Sequence, residues 1–386
     1  MSLAHLSQIN VYPVKSVGGI SLSSSWVELQ GLSFDRRFML ATSDGTMVTA
    51  RKFPQMVKVS ASLLPQGFIF TAKGKDPLKL SYSDFKQQET TATVWKDSFT
   101  AYTTTDAADD WFSDIVGQNV ELLYCGEQSN RIREKIGHNV SFADGYPLLL
   151  ISEASLEELN RRSPESHVME QFRTNLVISG TEPFAEDSWK TIRIGEVVFD
   201  IVKPCERCIL TTVDTNKGEF RTSKEPLKTL ISFRSDESGG VFFGQNLVAR
   251  NEGVITADDQ VEIIEYQDRQ HYIERDGEKT SHLDLGANQA ASDVKKATSE
   301  LKNLTLTING KAFVGNNQQS ILDQAEAAGI TLMNKCRVGF CGACKVSVVA
   351  GKVTHEDVPA LKLIEGIENA AIACSCIPQT NCEITG

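Results

Sequence analysis

Short apolar runs separated by turn residues fill the chain from Leu6 to about Tyr82. Runs of this kind are typical of β-strands, and Asp44-Gly45 between two of them is a hairpin signal. The pattern therefore predicts a small all-β module. Its strands are expected at residues 9–14, 38–41, 57–63, 68–71 and 78–81.

From about Thr91 the apolar spacing changes to a mixture of helical and strand patterns. Residues 107–116 and 153–161 place apolar side chains at helical spacing. Strands are predicted at residues 176–179, 192–202, 209–213 and 261–266. This part of the chain is therefore expected to contain both helices and strands.

A polar stretch at residues 268–301 has few large apolar side chains, which is a linker composition. A chain of 386 residues is long enough for two or three apolar cores. We therefore predict domains at residues 1–90, 91–267 and 302–386. The elements expected in the last of these are a hairpin at 304–308 and 312–314, a helix at 320–328 and a strand at 346–349.

Charge and cysteine content restrict the class of protein. A net charge of -11 without a clustered basic face argues against a nucleic-acid partner. Residues 1–10 lack a charged start before a long apolar stretch, and no window reaches the roughly 18 apolar residues that span a bilayer. Nine cysteines, with six in the last 51 residues, fit a reducing compartment. The chain is expected to be soluble and cytoplasmic, with no membrane partner.

The strongest chemical signal is a cysteine cluster near the end of the chain. Cys336, Cys341 and Cys344 have Cys-x4-Cys-x2-Cys spacing, and Cys374 follows after 29 intervening residues. This is the plant-type [2Fe-2S] spacing. The alternatives are a structural zinc site or free thiols, but zinc sites usually combine two close pairs. Because such a cluster moves one electron at a time, it implies a second redox centre or an outside partner.

Gly339 and Gly342 lie in this loop, where the backbone must curl around the cluster and direct N–H groups at its sulfurs. Cys376 and Cys382 lie close behind Cys374. Cys374 is preferred as the fourth ligand because it ends a short apolar strand, as the fourth ligand does in the ferredoxin family that this segment resembles. The resemblance implies an α+β β-grasp ferredoxin domain.

A second cysteine pair, Cys205 and Cys208, has Cys-x-x-Cys spacing. A thioredoxin-like dithiol would open a helix, whereas a β-rich Ile-Leu-Thr-Thr-Val follows here. A zinc site would need a second pair, and Cys125 is the only other cysteine before the C-terminal cluster. A thiolate ligand to a soft metal is the remaining interpretation.

Nearly the whole chain resembles the MOSC-domain proteins of the amidoxime-reducing type. The resemblance rests on strings that occur in one order, namely Val11-Tyr-Pro-Val-Lys-Ser16, Asp35-Arg-Arg-Phe38, Met47-Val-Thr-Ala-Arg51, Leu150-Ile-Ser-Glu-Ala-Ser155, Phe172-Arg-Thr-Asn175, Ala185-Glu-Asp-Ser-Trp189 and residues 205–214. It implies a mixed fold class, in which an N-terminal β module precedes a MOSC β-barrel-rich α/β domain.

The resemblance also implies a molybdenum cofactor, whose metal is held by the pterin dithiolene and one protein thiolate, here Cys208. Guanidinium, ammonium and amide donors suit this anionic group. The positions that match the family's contacts are Lys15, Ser16, Arg37, Arg173, Asn175 and Arg207. Asp144 matches a carboxylate near the metal, where a buried carboxyl beside an anionic centre would tend to hold a proton. It is a candidate proton donor, with loop capping as the alternative.

The function implied by the resemblance is molybdenum-dependent reduction of N-hydroxylated compounds, such as hydroxylamino-purines, amidoximes and hydroxylamines. An external flavoprotein would supply electrons through the [2Fe-2S] cluster. One alternative is a molybdenum cofactor carrier or sulfur-relay protein, in which Cys205 and Cys208 shuttle persulfide. A flavin-dependent ferredoxin reductase would need a Gly-rich nucleotide turn, and the sequence has no G-x-G-x-x-G.

Overall fold

The chain forms two compact units in the computed structural model, which describes residues 3–134, 136–274 and 301–386. Residues 275–300, which make up most of the predicted linker, lie outside the described residues. The first unit comprises Met1–Cys205, Leu210–Arg221 and Phe243–Gln270, and the second comprises Glu206–Ile209, Thr222–Phe242 and His271–Gly386.

Strands predominate among the elements. Up to residue 152 the chain contains β1 (His5–Val11), β2 (Ile20–Leu22), β3 (Ser24–Glu28), β4 (Gly31–Leu32), β5 (Phe38–Ala41), β6 (Met47–Val48), β7 (Ser60–Leu64), β8 (Gly67–Thr71), β9 (Leu78–Ser81), β10 (Glu89–Val94), β11 (Asp97–Thr103), α1 (Asp106–Val116), β12 (Glu121–Tyr124), β13 (Ile132–Arg133), β14 (His138–Asn139) and β15 (Leu148–Ser152). It continues with α2 (Glu153–Arg162), β16 (Leu176–Ser179), β17 (Trp189–Ile194), β18 (Val197–Glu206), β19 (Val213–Asp214), β20 (Glu219–Phe220), α3 (Leu227–Phe233), β21 (Phe242–Ala249), β22 (Gly253–Thr256), β23 (Val261–Tyr266), β24 (Asn303–Ile308), β25 (Lys311–Asn316), α4 (Ile321–Ala327), β26 (Lys345–Ala350), β27 (Val353–His355), β28 (Ala370–Ile372), β29 (Cys376–Pro378) and β30 (Cys382–Thr385). Within the described ranges, none of these helices is long and apolar enough to cross a membrane.

An eight-stranded sheet with the order β2-β1-β16-β15-β21-β18-β17-β23 forms the framework of the first unit. Strand β15 pairs parallel with β16 and antiparallel with β21. On β18 the side chains of Val197, Phe199 and Ile201 are buried, whereas Val198 and Val202 are not. The alternation directs one face of the strand into the apolar core and the other towards solvent.

A second sheet, β10-β11-β12-β5-β6, packs with α1 around a separate apolar core of the first unit. Thr105 begins the helix, because its side chain accepts a hydrogen bond from the N–H of Ala108 at 3.1 Å, and Gly117 at φ +73° ends it. The helix predicted at 107–116 is confirmed. The sheet joins strands from both sides of residue 90, and the domain boundary predicted there remains a prediction.

Two predicted strands differ from the structure. Residues 192–202 form a hairpin of β17 and β18, with Gly195 at φ +54° in the turn. The strand predicted at 209–213 is wrong for most of its length, because Ile209–Thr212 is a 3-10 turn and β19 begins only at Val213. The carbonyl of Thr211 accepts a hydrogen bond from Gln171 Nε2 at 3.1 Å. A side chain, and not a neighbouring strand, therefore satisfies this backbone group.

The C-terminal part of the second unit has a mixed five-stranded sheet with the order β25-β24-β30-β26-β28. Strand β24 pairs antiparallel with β25 and parallel with β30. Helix α4 contributes Ile321, Leu322 and Ala325 to the core that the sheet covers. A mixed sheet with one packed helix is the predicted α+β β-grasp fold, which is confirmed.

Phe199→Ala should destabilise the first unit by about 3–5 kcal/mol, because Phe199 is fully buried in the core of the eight-stranded sheet. All four tryptophans lie in the first unit, so urea unfolding followed by tryptophan fluorescence reports on that unit. Val202→Ala, on the opposite face of the same strand, is the control and should change the free energy of unfolding by about 0.5 kcal/mol or less. Equal losses in both variants would contradict this strand register.

Candidate functional site

Lys15 is a buried cation in the turn that follows β1. Its backbone N–H donates to the carbonyl of Phe38 at 2.8 Å, which holds the turn against β5. Its Nζ donates to the carbonyl of Phe142 at 2.8 Å and to Asp144 Oδ1 at 2.5 Å. Burial lowers the pKa of Lys15 from 10.5 to about 8, and the nearby carboxylate of Asp144 offsets part of this shift. Burial thus makes Lys15 easier to deprotonate than an exposed lysine.

The carboxylate of Asp144 accepts hydrogen bonds from Lys15, from Arg51 Nη2 at 3.0 Å and from Trp95 Nε1 at 3.2 Å. Half of the side-chain surface is exposed, and burial of the rest would by itself raise the pKa of the carboxyl. The charges of Lys15 and Arg51 outweigh this and hold the pKa of Asp144 well below 3.8. These two cations favour the ionised carboxylate, and the role of Asp144 as a proton donor stays a prediction. At neutral pH Asp144 is ionised, and the neighbouring proton is on Lys15.

The ring of Tyr12 contacts two guanidinium groups. Cζ of Arg36 lies 4.5 Å and Cζ of Arg173 lies 4.3 Å from the ring centroid. Arg36 pairs with Asp35 at 2.6 Å and also donates to the carbonyl of Arg173 at 3.0 Å. Two positive charges thus lie against the ring of Tyr12, and Asp35 neutralises that of Arg36.

One guanidinium nitrogen of Arg173 is available to donate hydrogen bonds to an anion. Its Nη1 donates to the carbonyl of Val17 at 2.6 Å. Its Nη2 and the Oγ1 of Thr174 are buried and have no hydrogen-bond partner in the part of the chain that the structure describes. Burial and the nearby charge of Arg36 lower the pKa of Arg173 to about 10, so the group remains charged at neutral pH. Because unmatched buried donors are costly, these two groups fit an anionic ligand.

Arg37 has a different set of partners from Arg36. Its Nη2 donates to Glu28 Oε2 at 2.5 Å, and its Nη1 donates to the carbonyl of Glu127 at 3.0 Å. Arg36 Nη1, in contrast, donates to Asn175 Oδ1 at 3.1 Å. The structure therefore brings Arg36, which sequence reasoning did not select, to the predicted contact Asn175. The role of Arg37 as a cofactor contact stays a prediction.

The two small polar residues of the predicted site shape the backbone. Asn175 Nδ2 donates to the carbonyl of Asn10 in β1 at 3.0 Å, and its Oδ1 accepts from the N–H of Leu149 in β15 at 3.2 Å. Ser16 is buried in the turn after β1 at φ +69°. Asn175 thus joins β1 to β15, and the contacts of both residues with the cofactor stay predictions.

The second cysteine pair is divided between the units. Cys205 belongs to the first unit, whereas Arg207 and Cys208 belong to the second. Arg207 is buried, and both cysteines are partly exposed. The candidate ligand Cys208 thus lies in the same unit as the four C-terminal cysteines. The predicted residues that lie in the first unit are Lys15, Ser16, Arg37, Asp144, Arg173 and Asn175.

The four predicted cluster cysteines form two interacting pairs in the structure. The thiol of Cys336 interacts electrostatically with that of Cys341, and the thiol of Cys344 interacts with that of Cys374. Each iron of a [2Fe-2S] cluster takes two protein ligands, so two neighbouring thiol pairs suit such a cluster.

Gly339 shapes the cysteine loop. It has φ +68°, and a Cβ on it would lie 2.5 Å from Cβ of Val358. Its N–H donates to Cys374 Sγ at 3.3 Å, and the N–H of Phe340 donates to Cys336 Sγ at 3.3 Å. The glycine therefore allows the loop to direct its amides at the sulfurs, as the sequence predicted.

Cys376 and Cys382 are buried in strands β29 and β30. Burial raises the pKa of Cys376 to about 12. The Sγ of Cys382 lies 3.2 Å from the carbonyl oxygen of Thr380. Cys374, in contrast, follows β28 directly in a short 3-10 turn. This packing supports the prediction that Cys374 is the fourth ligand.

Family models match three parts of the chain. Residues 3–119 match the MOSC N-terminal beta barrel domain, residues 137–262 match the MOSC domain, and residues 306–379 match the 2Fe-2S iron-sulfur cluster binding domain. Mitochondrial amidoxime reducing component 2 of Rattus norvegicus is 34% identical over 252 residues, which cover 59% of this chain and 72% of that protein. This chain belongs to the MOSC-domain family.

The MOSC-domain chain is also similar to the molybdenum cofactor sulfurase of Oryza sativa subsp. japonica, with 32% identity over 266 residues. The match covers 62% of this chain and 32% of the sulfurase, so the chain spans about a third of that relative's length. Among solved structures, ferredoxin reductase in carbazole 1,9a-dioxygenase is 30% identical over 22% of this chain and 28% of that chain, with a TM-score of 0.21. Family membership confirms both predicted cofactors, a molybdenum cofactor and a [2Fe-2S] cluster.

Sequence reasoning missed four residues that contact the predicted site residues of this MOSC-domain chain, namely Tyr12, Arg36, Arg51 and Trp95. The first three lie inside the strings that carry the family resemblance, and this was the available signal. No local pattern marks Trp95, because its hydrogen bond with Asp144 joins residues that are far apart in the sequence.

Cys374→Ala should remove the [2Fe-2S] cluster, whereas Cys376→Ala should retain it. The reason is that Cys374 interacts with Cys344 of the cysteine loop, whereas Cys376 is buried in β29. Iron determination and visible absorbance provide the measurement, with about two irons per chain expected for Cys376→Ala and almost none for Cys374→Ala. Circular dichroism in the far ultraviolet checks that both variants fold. Iron lost from Cys376→Ala and kept by Cys374→Ala would reassign the fourth ligand.

Proposed function

We propose that the chain is a molybdenum cofactor-dependent reductase of N-hydroxylated compounds, such as hydroxylamino-purines, amidoximes and hydroxylamines. The reaction cleaves the N–O bond, consumes two electrons and two protons, and gives the amine and water. The observation that carries the proposal is a [2Fe-2S] domain attached to a MOSC chain, with Cys208 in the same compact unit as the cluster cysteines. The amidoxime reducing relative supports the substrate class.

The buried cations of the first unit would hold the anionic parts of the cofactor. Among the described residues, Nη2 of Arg173 has no hydrogen-bond partner. The hydroxyl of Thr174, the next residue, also has none among them. Lys15 adds a second positive charge, and Asp144 neutralises part of it. A phosphate or a dithiolene, each rich in electrons, would satisfy these donors.

Cys208 is the side chain that would bind molybdenum, because a thiolate is a soft ligand. The chemistry that the bound cofactor supplies is the collection of single electrons and their delivery as a pair. The protein groups would supply the protons. Lys15, with a pKa of about 8, holds a proton that it can release near neutral pH, and the carboxylate of Asp144 orients its ammonium through the 2.5 Å contact.

An external flavoprotein is the proposed electron donor. A flavin accepts two electrons together and releases them singly, which matches a [2Fe-2S] cluster that carries one electron at a time. The proposed compartment is the cytoplasm. All nine cysteines are described and none forms a disulfide, which fits a reducing environment.

A second candidate function is that of a molybdenum cofactor carrier or sulfur-relay protein. The similarity to a molybdenum cofactor sulfurase and the spacing of Cys205 and Cys208 favour it. A relay would carry sulfur as a persulfide and would have little use for an attached [2Fe-2S] domain. The two functions differ in whether the purified protein reduces an N-hydroxylated substrate with a reduced donor or only binds cofactor.

Cys208→Ala should abolish reduction of a hydroxylamino-purine and lower the molybdenum content, because it removes the proposed metal ligand. The iron content and the visible spectrum of the cluster should remain as in the wild type. Cys205→Ala, the same change three residues earlier, is the control and should keep reductase activity. Turnover retained by Cys208→Ala would exclude this cysteine as the ligand, and loss of sulfur transfer in Cys205→Ala would favour the relay.

Lys15 should set an upper pH limit for the reaction. Its pKa of about 8 means that the ammonium is present below that pH and lost above it, so the rate should fall between about pH 7 and 9. Lys15→Arg stays charged throughout this range but cannot release its proton, so its rate should be low and should change little between about pH 7 and 9. The exposed Lys52→Arg is the control and should keep the wild-type profile of initial rates. An unchanged decline in Lys15→Arg would assign the limit to another group.

A further inference from the structure

A tight turn at residues 235–241, here called the junction turn, lies in the second unit. Its two ends pair as an antiparallel bridge. The carboxylate of Asp236 accepts hydrogen bonds from the N–H of Gly240 and from Ser238 Oγ, both at 2.8 Å. The turn is therefore held in one shape by its own hydrogen bonds.

The junction turn meets the cluster loop at Gly239. This residue has φ +76°, and a Cβ on it would lie 2.5 Å from Cβ and 2.9 Å from Cα of Cys341. Non-bonded carbon atoms in proteins keep a separation of about 3.5–4.0 Å, so only glycine permits this approach. A predicted cluster ligand is thus in direct backbone contact with the MOSC part of the chain.

A salt bridge lies beside this contact. Lys335 Nζ is 3.2 Å from Glu206 Oε1 and 3.5 Å from Ser238 Oγ. Lys335 directly precedes Cys336, and Glu206 lies two residues before Cys208. The side chains of the pair are 33% and 35% exposed, so water-soluble reagents can reach both. The pair joins the two segments that carry the proposed redox centres.

The junction turn meets the candidate molybdenum ligand through its backbone. The carbonyl of Val241 accepts a hydrogen bond from the N–H of Arg207 at 2.7 Å. Cys208 is the next residue. From the contact of Gly239 with Cys341, the route to Cys208 consists of two peptide bonds, one hydrogen bond and one further residue. Covalent bonds and short hydrogen bonds couple redox centres better than gaps through space do.

We propose that the junction turn is the electron-transfer contact between the [2Fe-2S] cluster and the metal held by Cys208. Gly239 permits the contact, and the pair of Lys335 and Glu206 clamps it. The proposal rests on the proposed function, because it requires an electron acceptor at Cys208. In each transfer the reduced cluster, charged by the external flavoprotein, loses one electron and that acceptor gains it, with no change in covalent bonds. Two transfers supply the electrons for one N–O cleavage.

The clamp is tested first by cross-linking, without turnover. A zero-length carbodiimide joins paired amines and carboxylates, so the full-length protein with its cluster should yield a peptide link between Lys335 and Glu206. Lys335→Gln should abolish it. The pair Lys190 and Glu265, 2.7 Å apart on the first unit, is the positive control. Mass spectrometry that finds the control link but no link from Lys335 to Glu206 would overturn the clamp.

Charge reversal then tests electron transfer. A photogenerated deazaflavin radical reduces the cluster in protein loaded with molybdenum, and the return of visible absorbance without substrate reports intramolecular reoxidation. Lys335→Glu places like charges together and should slow this step about tenfold, equivalent to ~1.4 kcal/mol. The double variant Lys335→Glu with Glu206→Lys restores opposite charges and should recover the rate to within about threefold. An unchanged rate in Lys335→Glu would overturn the proposal.

The glycine contact has a matched control in the same unit. Gly329 also has a left-handed backbone, φ +72°, but a Cβ on it would have nothing within 4 Å. Gly239→Ala should therefore slow cluster reoxidation about tenfold, whereas Gly329→Ala carries similar backbone strain and should not. Iron analysis verifies that both variants retain the cluster. Equal slowing of the two variants would overturn the assigned contact.

The photoreduction experiment contains no substrate. It can therefore distinguish failure of the junction turn as an electron path from failure of the proposed substrate class. Reoxidation of the wild-type cluster, slowed in Lys335→Glu and Gly239→Ala, supports the junction turn even if no hydroxylamino-purine is reduced. In that case the substrate class fails and the contact stands. Equal rates in the wild type and in Cys208→Ala would overturn the junction turn as an electron path, whatever the substrate result.

Discussion

Buried positive charge is the constraint on which the first unit depends. Lys15 is buried, and Arg36 and Arg173 are partly buried, so their charges must be matched by anions or by carbonyl groups. Asp144 and Asp35 match the first two. For Arg173 the described residues supply a carbonyl and an aromatic ring and leave one N–H group unmatched. This unmatched group makes the interior suitable for an anionic cofactor.

The same charges determine which group can move a proton. The family resemblance predicts Asp144 as a proton donor, whereas the two cations that contact its carboxylate favour the ionised form. The desolvated ammonium of Lys15 has the pKa closest to neutrality in this group. In the proposed function, the lysine is therefore the proton source, and the carboxylate positions it.

In the second unit the governing feature is a close approach of two backbones. Gly239 and Cys341 come together because the glycine has no side chain in the way, and the polar pair of Lys335 and Glu206 lies alongside. The segment of Cys208 belongs to the same unit as the [2Fe-2S] loop. An attached cluster serves a reductase only if it can pass electrons to the metal site. The proposed contact between Gly239 and Cys341 would provide that route.

The sequence alone determined the features that depend on neighbouring residues. The spacing of Cys336, Cys341 and Cys344 indicated the cluster type, because these cysteines share one loop, and periodic apolar residues located α1 and fewer than half of the described strands. Tertiary structure decided what depends on distant partners: Arg36 and not Arg37 beside Asn175, the ionised state of Asp144, and the 3-10 turn where a strand was predicted. Charges and hydrogen bonds act through space, so residues far apart in the chain set a pKa that no local pattern records.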